Sequence, residues 1–139
     1  GFLHWGHDIS PEENQYQAGL SFTISYKKDV NFIGKQALEK IKKENLKSRF
    51  AMFILKDSKP GIPLLLHDEP IYLEDKIIGR TTSGNYSFNY NKNLSFGYIA
   101  SNLSNEELQN KKLFIEVEKQ KHAINILLKP LKNTKFKVI

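Results

Sequence analysis

The chain has 139 residues, 40% of them hydrophobic, with nine Phe, six Tyr, no Cys and a formal charge of +6. That allows one ordinary domain, or a small domain with part of a neighbour, and enough apolar mass for a core; it excludes a disulfide framework and any thiolate metal site. The lysines are scattered and Arg stands only at 49 and 80, so a solvated Lys-rich surface explains the charge better than nucleic-acid binding, which favours Arg for bidentate recognition. No apolar run is long enough to cross a bilayer as a helix and no signal-peptide pattern opens the chain, so neither a membrane nor secretion is expected.

Phe2 to Asp8 mixes aromatic and polar groups around Trp5. His4, His7 and Asp8 have a spacing that can share an ion, but His67 and His122 lie far away in sequence and complete no recognisable ligand set, so no metal is expected. Asp8 is read instead as bonding to the turn that follows. The indole of Trp5 can present a flat face to a heteroaromatic ring, although core packing is the plainer role for a tryptophan. Ser10-Pro11-Glu12-Glu13 has the form of a capping box and predicts one helical turn or a tight loop.

Gly19 to Tyr26 alternates Leu20, Phe22, Ile24 and Tyr26 with Ser21, Thr23 and Ser25, which predicts a half-buried strand. After a turn at Lys27-Lys28-Asp29, residues Gln36 to Glu44 predict an amphipathic helix with Ala37, Leu38 and Ile41 on one side and the pairs Glu39/Lys43 and Lys40/Glu44 on the other. A domain boundary is expected near Leu46 to Arg49.

From Arg49 onward short strands recur at roughly ten-residue spacing, the mark of a small antiparallel barrel or sandwich. They are expected at Phe50–Lys56, continuing through Pro63–His67, then at Ile71–Leu73, Ile77–Ser83 and Leu94–Ala100, with a polar Thr82-Ser83-Gly84 corner and an Asn/Tyr/Ser loop between the last two. Gly79, Gly84 and Gly97 mark special conformations or close approaches. Ser104-Asn105-Glu106-Glu107 predicts a capped short helix, and Leu113–Glu118 with His122–Leu128 a hairpin around Lys119-Gln120-Lys121. Pro130 stops the last strand, and Lys132–Ile139 reads as a basic tail. Arg80 has two readings, a ligand carboxylate or an acidic side chain across the sheet. No nucleophile–base pair and no phosphate loop can be assembled, so no catalytic residue is assigned.

The pattern Ile78-Gly79-x-x-Thr82-Ser83-Gly84, with Lys92 and Phe96-Gly97-Tyr98, resembles the C-terminal barrel of the glycine-cleavage T-protein (aminomethyltransferase) family. Trp5-Gly6-His7-Asp8-Ile9, Phe32-Ile33-Gly34-Lys35-x-Ala37-Leu38 and Gly84-Asn85-Tyr86 extend the likeness, the first and last toward the folate-binding end of dimethylglycine and sarcosine dehydrogenases. The resemblance implies a mainly β fold with an α+β N-terminal part: residues 1–48 as the end of a folate-binding domain, and residues 49–139 as a small antiparallel β-barrel. It implies transfer of a one-carbon unit from glycine or an N-methyl glycine to tetrahydrofolate, with Trp5, Asp8, Arg80 and Tyr86 as candidate cofactor contacts. The family's main pterin-binding residues and its catalytic aspartate would lie upstream of Gly1, as would any FAD domain. This stretch alone is then expected to be inactive and to need the rest of its protein.

A T-protein proper acting on a lipoyl carrier, a folate-dependent demethylase, and a non-catalytic folate-binding or assembly module stand as alternatives. The T-proteins proper usually carry Tyr where Trp5 stands, which separates this chain from a hydroxyl-dependent role there. The compartment implied is the bacterial cytoplasm or the mitochondrial matrix. A half-domain without its sheet partners is expected to self-associate or fray.

Overall fold

The structure, a computed structural model, describes residues 2–28, 30–128 and 131. The basic tail and the strand stop at Pro130 lie outside the described residues. Six antiparallel strands close a barrel: β1 (Ser48–Leu55), β2 (Pro70–Leu73), β3 (Lys76–Ser87), β4 (Lys92–Ala100), β5 (Leu113–Val117) and β6 (Gln120–Leu127), in the order β1-β4-β3-β2-β5-β6. Closure leaves no free long edge, which is how a small all-β domain satisfies its backbone.

The alternating residues do what a pleated strand requires. Ala51, Phe53 and Leu55 of β1, Ile71 and Leu73 of β2, Ile99 of β4, Leu113 and Ile115 of β5 and Ile124 of β6 point inward and form one core, closed by Leu65 and by Leu108 of a short helix. That helix, α2 (Asn105–Asn110), carries the expected capping box: Glu107 N donates to Ser104 Oγ at 3.1 Å and Ser104 N to Glu107 Oε2 at 2.9 Å. The β5–β6 turn is tighter than expected. Glu118 and Lys119 make it alone, both at positive φ.

Two polar residues enter the barrel wall with their bonds satisfied. Asn93 donates from Nδ2 to the Ile62 and Pro63 carbonyls, and Ser95 Oγ bonds the Ser83 carbonyl. The glycines expected to permit close approach do so on facing strands. A Cβ on Gly79 would lie 1.9 Å from the Tyr98 carbonyl oxygen, and one on Gly97 would lie 2.5 Å from that of Arg80.

Residues 2–28 and 30–47 lie outside the barrel, and of these Asp8 and Ala18 are buried. They hold a 3-10 turn at Ser21–Thr23 and the helix α1 (Lys35–Ile41), beside which Lys40 and Glu44 approach to 4.0 Å while Glu39 and Lys43 form no ion pair. Gln17 ties this segment to β1, its carbonyl accepting from Phe50 N at 2.8 Å and its Nε2 donating to Ser48 Oγ at 3.0 Å. Among the described residues no helix is long and apolar enough to cross a membrane.

Three expectations are corrected. Gly19–Tyr26 is not a strand: Thr23 N and Oγ1 both bond the Leu20 carbonyl, and Phe22 is 81% exposed. Alternation states which face a strand would bury, but a strand also needs a neighbouring ladder, and no described strand pairs with this segment. Pro63–His67 is irregular, held by Asn93 at the Pro63 carbonyl, by Leu66 N donating to Glu69 Oε1 at 2.7 Å and by Leu65 turning inward against Gly84. The Thr82-Ser83-Gly84 corner does not end its strand either. β3 runs on to Ser87, and the register shift between Thr81 and Ser83 is a bulge that bends it.

Candidate ligand-binding site

The bulge in β3 turns Thr82 and Ser83 toward the N-terminal segment, and both meet Asp8. Thr82 Oγ1 donates to Asp8 Oδ1 at 2.5 Å, Ser83 Oγ to the same oxygen at 2.7 Å, and His4 N to Oδ2 at 2.8 Å. Tyr98 of β4 adds a fourth tie, its hydroxyl donating to the Asp8 carbonyl at 2.8 Å. Asp8 is only 2% exposed. A buried carboxylate is stable when its oxygens are occupied by donors, and this one has three. Burial pushes the Tyr98 hydroxyl pKa up, and the Glu13 and Asp8 charges add to that shift.

The loop that Asp8 holds is Trp5-Gly6-His7. Gly6 takes φ +90°, a conformation that disfavours side chains, and its N–H bonds the Ile9 carbonyl at 2.8 Å. The result is a closed loop with Trp5 66% exposed on its rim. Within the described residues Trp5 is not part of the barrel core.

Beside the loop lies a cleft of about 250 Å³ lined by Gly6, His7, His67, Asp68, Arg80, Thr81 and Thr82. His4 and His7 stack at 4.7 Å between centroids, and His67 lies 6.4 Å from His7. Arg80 Nη1 donates to Asp68 Oδ1 at 2.6 Å, and His67 Nδ1 lies 2.9 Å from Asp68 Oδ2. The bond to His67, and with it the Arg80 guanidinium, holds the Asp68 carboxyl below the usual carboxylate range against an opposing desolvation. Arg80 thus takes the acidic-partner role, with its side chain still 68% exposed. Among the described residues no three His, Asp or Glu gather as metal ligands.

Tyr86 lines a second cleft, of about 460 Å³, with Met52, Asn85, Leu94 and Phe96, and packs edge-on against Phe88 at 5.1 Å. Asp8 meets the middle of β3 at Thr82 and Ser83, with Arg80 just before them and Tyr86 just beyond, in a cleft that Ser83 also lines. The residues that hold Asp8 are not legible in the sequence; the polar Thr82-Ser83 pair beside a glycine is the signal, and it reads there as a turn.

The fold and the clip define a filled barrel that displays a loop on its outer wall rather than enclosing a cavity. The family described as glycine cleavage T-protein C-terminal barrel domain matches residues 49–132. The mitochondrial dimethylglycine dehydrogenase of Mus musculus is 33% identical over 132 residues, covering 94% of this chain and 14% of that protein. The 4-methylaminobutanoate oxidase (formaldehyde-forming) of Paenarthrobacter nicotinovorans is 43% identical over 86 residues, 62% of this chain and 10% of that protein. The crystal structure of the glycine cleavage system aminomethyltransferase T from Bartonella henselae shares the fold at a TM-score of 0.72 and 19% identity, over 90% of this chain and 34% of that one. The chain belongs to the glycine cleavage T-protein C-terminal barrel family, and it spans about 14% of the dehydrogenase relatives it matches along most of its length.

Proposed function

We propose that this chain is the C-terminal region of a tetrahydrofolate-dependent aminomethyltransferase-like protein that moves a one-carbon unit from an amine, an N-methyl glycine or glycine, to tetrahydrofolate. Residues 1–48 finish the folate-binding domain and 49–139 form the barrel that supports it. The observation that carries this reading is the loop clipped by Asp8, which holds an indole exposed on the outer wall of the barrel. An exposed tryptophan fixed by a buried carboxylate suits stacking on a flat heteroaromatic group.

Tetrahydrofolate supplies the nucleophilic nitrogen that accepts the one-carbon unit. The residues here hold and orient. Trp5 offers the stacking face, and Asp8, with both oxygens already occupied by donors, positions Trp5 instead of touching the ligand. Arg80 offers its remaining N–H groups to a carboxylate such as the folate glutamate, in competition with Asp68. Tyr86, in the neighbouring cleft, faces the rest of the protein. The catalytic acid, and in the dehydrogenase reading the flavin oxidant, belong to polypeptide outside these residues. Exposed Phe2, Phe22, Val30 and Ile33 are what that polypeptide covers. The mitochondrial names of several relatives favour the matrix as its compartment, with the bacterial cytoplasm as the counterpart.

Trp5 is the single tryptophan, so its emission reports on this loop in the isolated chain. The test titrates 5-formyltetrahydrofolate into this chain and into the full-length protein, by calorimetry in both and by Trp5 emission in the chain. Calorimetric binding by the full-length protein that falls roughly tenfold or more in Trp5→Ala, with little binding by the chain alone, supports the reading. Full-length binding untouched by Trp5→Ala overturns the role of Trp5, and no folate binding by the full-length protein overturns the proposal.

A further inference from the structure

A separate groove of about 470 Å³ runs between the end of α2 and the β5–β6 hairpin. Lys56, Lys111 and Lys112 line it, together with the amides of Gln109, Asn110 and Asn125, and no carboxylate does. Lys111 is shared with Glu107 at 3.7 Å, whereas Lys56 and Lys112 form no ion pair among the described residues. Asp57, next to Lys56 in the chain, is not among the lining groups. Three ammonium groups facing one concavity repel one another, and an anion relieves that repulsion.

The β6 backbone that lines the groove, Ala123–Ile126, is already paired on its β1 side. The ladder of β6 with β1 covers Ile124–Leu127, with one further bond from Lys56 N to the Ala123 carbonyl at 2.9 Å. Beyond it, Gln120–His122 of β6 pair with β5 on one side and with no described strand on the other. Those three residues do not line the groove, so what it offers a ligand is side-chain charge and amide groups rather than a free strand edge.

We propose that this groove docks an acidic polypeptide segment of a partner, its carboxylates on Lys56, Lys111 and Lys112. Nucleic acid fits less well. The groove has no Arg, and its one aromatic residue, Phe114, is half-buried with the Lys121 ammonium 6.0 Å from its ring, so bases find no open stacking platform. The groove shares no lining residue with the clefts beside Trp5 and Tyr86, so the inference stands or falls independently of the folate reading.

The experiment titrates a labelled acetyl-(Asp-Glu)3-amide peptide into the full chain and follows anisotropy at about 0.1 M and about 1 M salt. Two double variants with the same change of net charge are compared: Lys56→Glu with Lys112→Glu in the groove, and Lys28→Glu with Lys43→Glu outside it. All four side chains are exposed, and matched thermal midpoints establish that both variants fold. The expected result is binding at low salt that weakens roughly tenfold or more in the groove variant and less than about twofold in the control. Equal weakening in both variants means that net charge alone attracts the peptide, and it overturns the site. So does absence of binding by the unmodified chain, or tighter binding of a γ-linked glutamate oligomer or an oligothymidylate than of the peptide.

Discussion

Thr82 Oγ1 and Asp8 Oδ1 meet at 2.5 Å across 74 positions of sequence, and Ser83 joins the same oxygen. One carboxylate thereby fixes the N-terminal loop to the bulged strand. Replacing it leaves two hydroxyls and the His4 N–H without their acceptor in a closed site. Asp8→Ala is expected to lower stability by about 2–3 kcal/mol and Thr82→Val by about 1 kcal/mol, read from urea unfolding followed by Trp5 emission. A loss below about 0.5 kcal/mol in Asp8→Ala would mean that the clip is not holding the loop.

Gly79 and Gly97 sit where β3 and β4 come closest, and their neighbours are backbone oxygens that cannot yield without breaking a ladder. Gly79→Ala is expected to cost about 3 kcal/mol or more, or to abolish soluble folded protein. Gly61→Ala is the comparison. It has φ +72°, and a Cβ placed there would meet nothing within 4 Å, so the variant carries only the strain of its backbone, about 1 kcal/mol. Thermal unfolding of the two proteins separates collision from strain.

What can be read from the residues is what local chemistry decides. Ser104 and Glu107 announce their helix because a capping box closes within four residues, and Leu113–Val117 shows its inward face because a two-residue period needs no distant information. Gly19–Tyr26 shows the same period and forms no strand, since hydrogen-bond partners are a property of the whole sheet. Asp8 fails to show its role for a related reason: the register that brings Thr82 to it depends on a bulge, and nothing within a few residues of either specifies that meeting. Arg80 is legible as an ion-pair former, but its partner, Asp68, follows directly on the irregular stretch whose residues read as strand.

The hydroxyl of Tyr98 makes the stability of the clip depend on pH at the alkaline end. Its folded pKa is raised above the ordinary tyrosine value, first by burial and then by the Glu13 and Asp8 charges. A group that holds its proton more tightly when folded contributes stability that is complete below about pH 10 and is lost as the pH rises above that. Unfolding followed from pH 8 to about 12 is expected to show a fall in stability that is smaller in Tyr98→Phe, although that variant starts about 1 kcal/mol lower for want of the bond to the Asp8 carbonyl. Parallel curves for the two proteins would remove Tyr98 from the alkaline transition.

The β5–β6 hairpin turns through Glu118 at φ 50° and Lys119 at φ 65°. Both values lie in the left-handed region, where a side chain other than Asn or Gly meets a steric penalty, and a two-residue turn of this hand matches the twist of the strands it joins. The hairpin is held elsewhere by its ladder and by Lys121, which lies 4.2 Å from the Tyr72 ring centroid and bonds Asp75 at 3.2 Å, so the turn residues are free to change. Glu118→Asn with Lys119→Gly is therefore expected to raise stability by about 1 kcal/mol, shifting the thermal midpoint upward by a few degrees. An unchanged or lowered midpoint would show that the side chains of Glu118 and Lys119 make contributions that offset their backbone strain.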